Sequence, residues 1–163
     1  MKTKYIILCA VSTIVLLLDQ ATKIFIDRTM DLHSSITVVE NFFNITYIRN
    51  KGAAFGFLAE TSFRLPFFIG VSIIAVVVII GIFRKLRPEQ KMTTVSLSLI
   101  FAGALGNLID RIRFGEVIDF IYVHWYEHYW PAFNVADSAI CVGVFLLALD
   151  MLLDERSRKS AKP

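Results

Sequence analysis

Charge is scarce in this sequence. Only 19% of its 163 residues are Asp, Glu, Lys or Arg, whereas 56% are hydrophobic, and the mean hydropathy is +0.62. A soluble domain of this length carries roughly a quarter charged residues. The apolar excess is gathered into runs, which points to one compact integral membrane domain spanning residues 1–163. The net charge of +3 and pI near 9.0 come from short clusters beside those runs. A nucleic-acid footprint would be a basic stripe on a soluble face, and none is present, so no nucleic-acid partner is expected.

Other absences narrow the chemistry. There are two cysteines, Cys9 and Cys141, both within apolar runs and without CxxC spacing, so buried free thiols are expected. There is no Gly-rich phosphate loop, no G-x-S-x-G elbow, and no Ser or Cys nucleophile with a convincing His partner. The basic start and apolar centre of the N-terminus imitate a secretory signal. No small-residue cleavage site follows, so the segment reads as a retained span.

Four apolar segments stand out, at about residues 5–26, 66–83, 92–109 and 134–153. Each has roughly 18 to 22 residues, about enough to cross a core of ~30 Å at ~1.5 Å per residue. Lys2 and Lys4 precede the first; Arg84, Lys85, Arg87 and Lys91 crowd the second link; Arg156, Arg158, Lys159 and Lys162 follow the last. Only four spans put all three clusters on the cytoplasmic side, with both termini inside. The first outer connection, about residues 27–65, contains Ser35-Ile36-Thr37-Val38-Val39 and Ile45-Thr46-Tyr47-Ile48 around Glu40-Asn41, which predicts a small hairpin or sheet. Residues 53–63 suggest a short amphipathic interfacial helix. Tyr122, Trp125, Tyr126, Tyr129 and Trp130 read as an interfacial aromatic belt. The third span is unusually small and hydroxylated (Thr93, Thr94, Ser96, Ser98, Ala102, Gly103, Ala104, Gly106), as a close helix seam requires.

Residues 103–138 hold three aspartates, two arginines and two asparagines between apolar segments. Carboxylates at span ends are costly and point to function. The topology puts Asp19, Asp110, Asp119 and Asp137 near one outer boundary, with Asn50 in the outer loop; Asp150 falls at the cytoplasmic end as an anchor. Two carboxyls in close approach share a proton and can together activate water and protonate a leaving amine. Spacing alone does not choose among Asp110, Asp119 and Asp137, because each could simply pair with Arg111, Arg113 or Lys23. Asp19 and Lys23, four apart on a helix, read as a stabilising pair. His124-Trp125-Tyr126-Glu127-His128 matches an H-x-x-E-H zinc pattern but has no evident third ligand, so no metal is expected.

Five blocks carry a resemblance. They are Asp19-Gln20-Ala21-Thr22-Lys23, Arg49-Asn50-Lys51-Gly52-Ala53-Ala54-Phe55-Gly56, Gly103-Ala104-Leu105-Gly106-Asn107-Leu108-Ile109-Asp110-Arg111, Gly115-Glu116-Val117-Ile118-Asp119-Phe120-Ile121 and Phe133-Asn134-Val135-Ala136-Asp137-Ser138. In order and spacing they resemble the motif blocks of bacterial lipoprotein signal peptidase, or signal peptidase II. The resemblance implies an intramembrane aspartyl endopeptidase without cofactor, in the bacterial cytoplasmic membrane, with its site towards the outer face. The implied substrate is a prolipoprotein bearing a diacylglyceryl-cysteine, cut just before that cysteine. The implied dyad is Asp119 and Asp137, with Asn50, Asn107, Arg111, Asn134, Asp19, Lys23 and Gly106 in support. Membrane lipids and globomycin-type inhibitors are the other implied partners. The rivals are a small proton- or ion-coupled transporter, whose carboxylates would spread through the membrane depth, and a non-catalytic assembly factor.

Overall fold

The computed structural model describes residues 2–52 and 62–160, with side chains for residues 3–52 and 62–155. The chain runs α1 (Lys2–Thr29), β1 (Ser35–Val39), β2 (Phe43–Asn50), α2 (Arg64–Lys85), α3 (Lys91–Phe114), β3 (Val117–Trp125), β4 (His128–Tyr129) and α4 (Val135–Ser160) among the described residues. All four helices are long and apolar enough to cross a membrane. In α2 the run Val71-Ser72-Ile73-Ile74-Ala75-Val76-Val77-Val78 is helical despite its β-branched side chains. Lipid offers no partner for a backbone N–H or C=O, so a spanning segment must satisfy its hydrogen bonds internally whatever its propensity in water.

α3 is the central helix and packs against α1, α2 and α4. Its buried hydroxyls turn back on their own helix: Ser96 Oγ donates to Met92 O and Ser98 Oγ to Thr94 O. Small residues permit the contact. A Cβ on Gly103 would collide with the carbonyl of Ala136 on α4, and one on Gly106 would sit 2.6 Å from Asp19 Oδ2 on α1. Since helices in lipid gain little from hydrophobic association, such close backbone approach is what holds them together.

The two ends of the bundle differ. At one, the buried Lys4 donates to the carbonyls of Phe83, Arg84 and Leu86 at 3.0, 3.1 and 2.8 Å, fastening the start of α1 to the end of α2. Thr93 donates to Asp150 at 2.5 Å there, joining α3 to α4. At the other end the chain leaves α3 through Gly115, whose φ of 73° is the left-handed conformation that terminates the helix. Two residues later β3 begins, which brings the strand back over the bundle.

The sheet is antiparallel in the order β1-β2-β3-β4. Asp119 pairs with Ile48 and Val117 with Asn50, so Asn50 and Asp119 lie on one face of neighbouring strands. Ile26, Tyr47, Ile118 and Phe120 form a buried cluster, with Ile118 and Phe120 on the face of β3 opposite Asp119, and it docks the sheet on α1. Arg49 fastens β2 to α1 through an ion pair with Asp27 at 2.6 Å, and the hydroxyl of Tyr47 donates to the same carboxylate.

Several expectations change. The helices extend beyond the apolar runs, α3 by five residues to Phe114 rather than stopping near residue 109. The predicted hairpin exists as β1 and β2 but belongs to a larger sheet, because β3 forms where only a connection was expected. Cys9 and Cys141 are free as expected but exposed on the helix surfaces rather than buried. The proposed interfacial helix at residues 53–63 falls almost wholly outside the described residues.

Candidate active site

The carboxylates at the sheet-bearing end form two groups. The first is built on α1 and α3. Lys23 Nζ lies 3.0 Å from Asp19 Oδ2 and 2.9 Å from Asp110 Oδ2, with all three side chains no more than 1% exposed. Gln20 Nε2 donates to both carboxylates, at 3.1 and 3.0 Å. The expected Asp19–Lys23 pair is present, and Asp110 joins it. The sequence left Asp110 open as a reacting group; the fold gives it to the lysine instead.

The second group is Asp119 on β3 and Asp137 in the first turn of α4. Neither accepts a salt bridge from a cation among the described residues, and asparagine amides hold both. Asn50 Nδ2 donates to Asp119 Oδ2 at 2.9 Å, and Asn134 Nδ2 to Asp119 Oδ1 at 2.7 Å. Asn107 Nδ2 donates to Asp137 Oδ1 at 2.7 Å. Asn134 also caps α4: its Oδ1 accepts from Asp137 N at 2.9 Å, while its own N–H donates to Asp137 Oδ2 at 3.2 Å. That reciprocal bonding is a capping box. One residue thus begins the helix that presents Asp137 and reaches across to Asp119.

Asp119 is 2% exposed, whereas Asp137 is half-buried. Burial first, and the negative charge of Asp137 second, push the Asp119 carboxyl up to about 7. Asn50 and Asn134 partly oppose that rise by donating to the ionised form. A carboxyl poised near neutral pH beside a second carboxyl offers a combined acid and base.

Both carboxyls open into a cavity of about 460 Å³, whose polar wall includes Asn50, Asn107 and Arg111 and whose apolar wall includes Val117, Pro131, Ala132, Phe133 and Cys141. Arg111 lies over the Phe68 ring at 4.9 Å and donates to Gly52 O at 3.4 Å, so its charge faces the pair from the cavity wall. Such a site admits a polar reaction centre beside an apolar chain.

The H-x-x-E-H pattern does not form a site. His124 pairs with Tyr129 and Trp125 with His128 across β3 and β4, which puts the two histidines on opposite faces of the ribbon. Asn50, Asn107, Arg111 and Asn134 all line or support the pair, and Gly106 makes room for Asp19. Gln20 and the backbone N–H groups of Ile118 and Ala136 also hold the Lys23 group, the last two donating to Asp110 and Asp19. Backbone partners carry no side-chain signal in the sequence, whereas Gln20 stands next to Asp19 in the Asp19-Gln20-Ala21-Thr22-Lys23 motif.

Comparison with known proteins gives consistent likenesses. A family model described as "Signal peptidase (SPase) II" matches residues 11–153. The chain is 62% identical over 156 residues to a protein of Geobacter metallireducens named "Lipoprotein signal peptidase", covering 96% of each chain. It is also 62% identical over 158 residues to one of the same name from Geobacter sulfurreducens, covering 97% of this chain and 99% of the relative. A solved structure titled "Bacterial membrane enzyme structure by the in meso method at 2.3 A resolution" superposes with a TM-score of 0.83 at 38% identity, covering 100% of this chain and 94% of the other.

Proposed function

This chain belongs to the signal peptidase II family, and from that premise we propose that its hydrolysis runs on Asp119 and Asp137. The enzyme is an aspartic endopeptidase that removes the signal peptides of lipoproteins. The single observation that carries the site assignment is the pair of carboxyls held by three asparagine amides at the wall of one cavity.

Asp119 is the more buried carboxyl and holds the shared proton; Asp137, open to the cavity, is the base. Asp137 takes a proton from water as the water oxygen attacks the scissile carbonyl carbon. Asp119 gives its proton to the carbonyl oxygen, forming a neutral tetrahedral diol. The proton on Asp137 then passes to the amide nitrogen, the C–N bond breaks, and a diol hydroxyl returns its proton to Asp119. One water is consumed and the pair ends with one proton, as it began. Asn50, Asn107 and Asn134 hold both carboxyls in place throughout. No step requires a metal or cofactor.

The substrate is a prolipoprotein whose cleavage-site cysteine carries diacylglyceryl, cut just before that cysteine. The apolar cavity wall suits a lipid-bearing chain. The protein is a multi-pass membrane protein. Its lysines and arginines favour the bacterial cytoplasmic membrane with both termini inside and the sheet outside. Asp19, Asp110 and Asp137 gather at one end of the bundle, which leaves the ion-coupled transporter reading without support.

The test is incubation of the purified protein, in lipid and with EDTA, with a diacylglyceryl-modified prolipoprotein, followed by mass measurement of both products. A single cut before the modified cysteine is expected. Cleavage elsewhere, or dependence on metal, would overturn the proposal.

A further inference from the structure

The lysine-bound carboxylates face away from the cavity, yet each holds the backbone beside a reacting group. Asp19 Oδ1 accepts from Ala136 N at 2.9 Å, one residue before Asp137. Asp110 Oδ2 accepts from Ile118 N at 3.3 Å, one residue before Asp119. Lys23 joins the two carboxylates and adds a third bond, to Asn107 Oδ1 at 3.1 Å. With that oxygen occupied by the ammonium, the Asn107 amide must turn its Nδ2 outward, where it donates to Asp137.

We propose that Lys23, bridging Asp19 and Asp110, is a clamp that fixes the separation of β3 from the first turn of α4, and with it the alignment of Asp119 and Asp137. The three are positioning residues; none touches the cavity or the substrate. This rests on the Asp119–Asp137 reading. Backbone bonds already join β3 to the approach to α4, between Ile121 and Phe133, and the Lys23 group adds a second tie on the far side of the pair, at Ile118 and Ala136. Gly106 belongs to the same device, since a side chain there would push Asp19 away from Lys23.

The clamp separates two roles that a single buried cluster could otherwise merge. A merely structural cluster would change stability and leave the turnover of folded protein alone. A clamp changes the rate of the folded protein while leaving affinity alone, because the cavity wall that meets substrate is intact. It also changes proton affinity in a known direction. Asp119 faces Asp137 on α4, Arg111 on α3 and Lys23 on α1, and the Lys23 charge opposes its protonation. Loss of that charge therefore moves the alkaline limb of kcat/KM to higher pH.

The experiment compares Lys23→Met and the double variant Lys23→Met/Asp110→Asn with the parent protein in lipid, on the diacylglyceryl-modified prolipoprotein. Lys23→Met strips the ammonium from two buried carboxylates, whereas the double variant keeps the net charge of the group and leaves only Asp19, which the Gln20 amide and the Ala136 N–H still hold. Thermal unfolding of each variant identifies the folded preparations. For the folded protein we expect kcat to fall about 100-fold, as for a misplacement of roughly 1 Å, with KM within about twofold. The single variant also shifts the alkaline limb upward. Wild-type kcat in the folded double variant, or a rate loss seen wholly in KM, overturns the clamp. Asp119→Asn and Asp137→Asn run alongside: turnover in either refutes the dyad, whereas inactive dyad variants beside a fully active double variant refute the clamp alone.

Discussion

Two groups of carboxylates lie at the same end of this bundle, and they differ in what compensates them. Asp19 and Asp110 share a lysine and a glutamine and are sealed from solvent. Asp119 and Asp137 receive only neutral donors, and both line one cavity. A buried carboxylate must be compensated, and removing the cation of a buried pair costs roughly 3–5 kcal/mol. Where a lysine compensates, the carboxylate is tied to a fixed cation. Where amides compensate, the missing positive charge is supplied by a proton, and a proton can be moved.

The largest effect that would break this contrast is at Asn134, the residue that caps α4 and holds Asp119. Asn134→Ala should lower kcat by at least about 100-fold and destabilise the fold by about 1 kcal/mol for the lost cap plus about 1–3 kcal/mol for the buried acceptors of Ile118 and Asp119 it leaves unpaired. Steady-state cleavage and thermal unfolding of the same preparation separate the two. A variant that unfolds outright but, when refolded in lipid, cleaves normally would place Asn134 with the scaffold.

The proton itself gives a second test. Asp119 sits near 7 because of burial and Asp137; with Asp119 as the proposed acid, kcat/KM should fall as pH rises through about 7. Asn50 donates to the ionised form and opposes the rise. Asn50→Leu should therefore move that limb to higher pH, as a pH–rate profile would record. An unmoved limb would detach Asn50 from the proton.

A smaller effect is expected at Gly106, which makes room for Asp19. Gly106→Ala places a methyl 2.6 Å from Asp19 Oδ2 and should destabilise the fold by about 1–3 kcal/mol, read as a lowered unfolding temperature. Smallest of all is Ile74→Ala on the exposed face of α2, within about 0.5 kcal/mol of the parent and equal in rate.

The sequence made the spans legible because lipid demands long uninterrupted apolar runs. Their ends were less legible, since polar residues such as Arg111 and Arg113 continue α3 until Gly115 stops it. The hairpin could be read from Ser35–Val39 and its partner, but β3 was hidden by aromatics that also fit an interfacial belt. Cys9 and Cys141 misled for a related reason: in lipid both faces of a helix are apolar, so periodicity does not tell inside from outside. Composition could not choose among Asp110, Asp119 and Asp137, because the choice depends on which of them Lys23 reaches. The family resemblance supplied Asp119 and Asp137. One local signal went unused: Asn134 followed three residues later by Asp137, ahead of an apolar run, is a helix-capping pattern.

The most direct measurement is the single-turnover cleavage rate of folded Asp119→Asn, Asp137→Asn and Asp110→Asn on one diacylglyceryl-modified prolipoprotein. The contrast predicts no detectable cleavage for the first two. Asp110→Asn should retain measurable cleavage, about tenfold slower, because its amide oxygen still accepts from the Ile118 N–H. An inactive Asp110→Asn beside turnover in either of the others would reverse the assignment of the two groups.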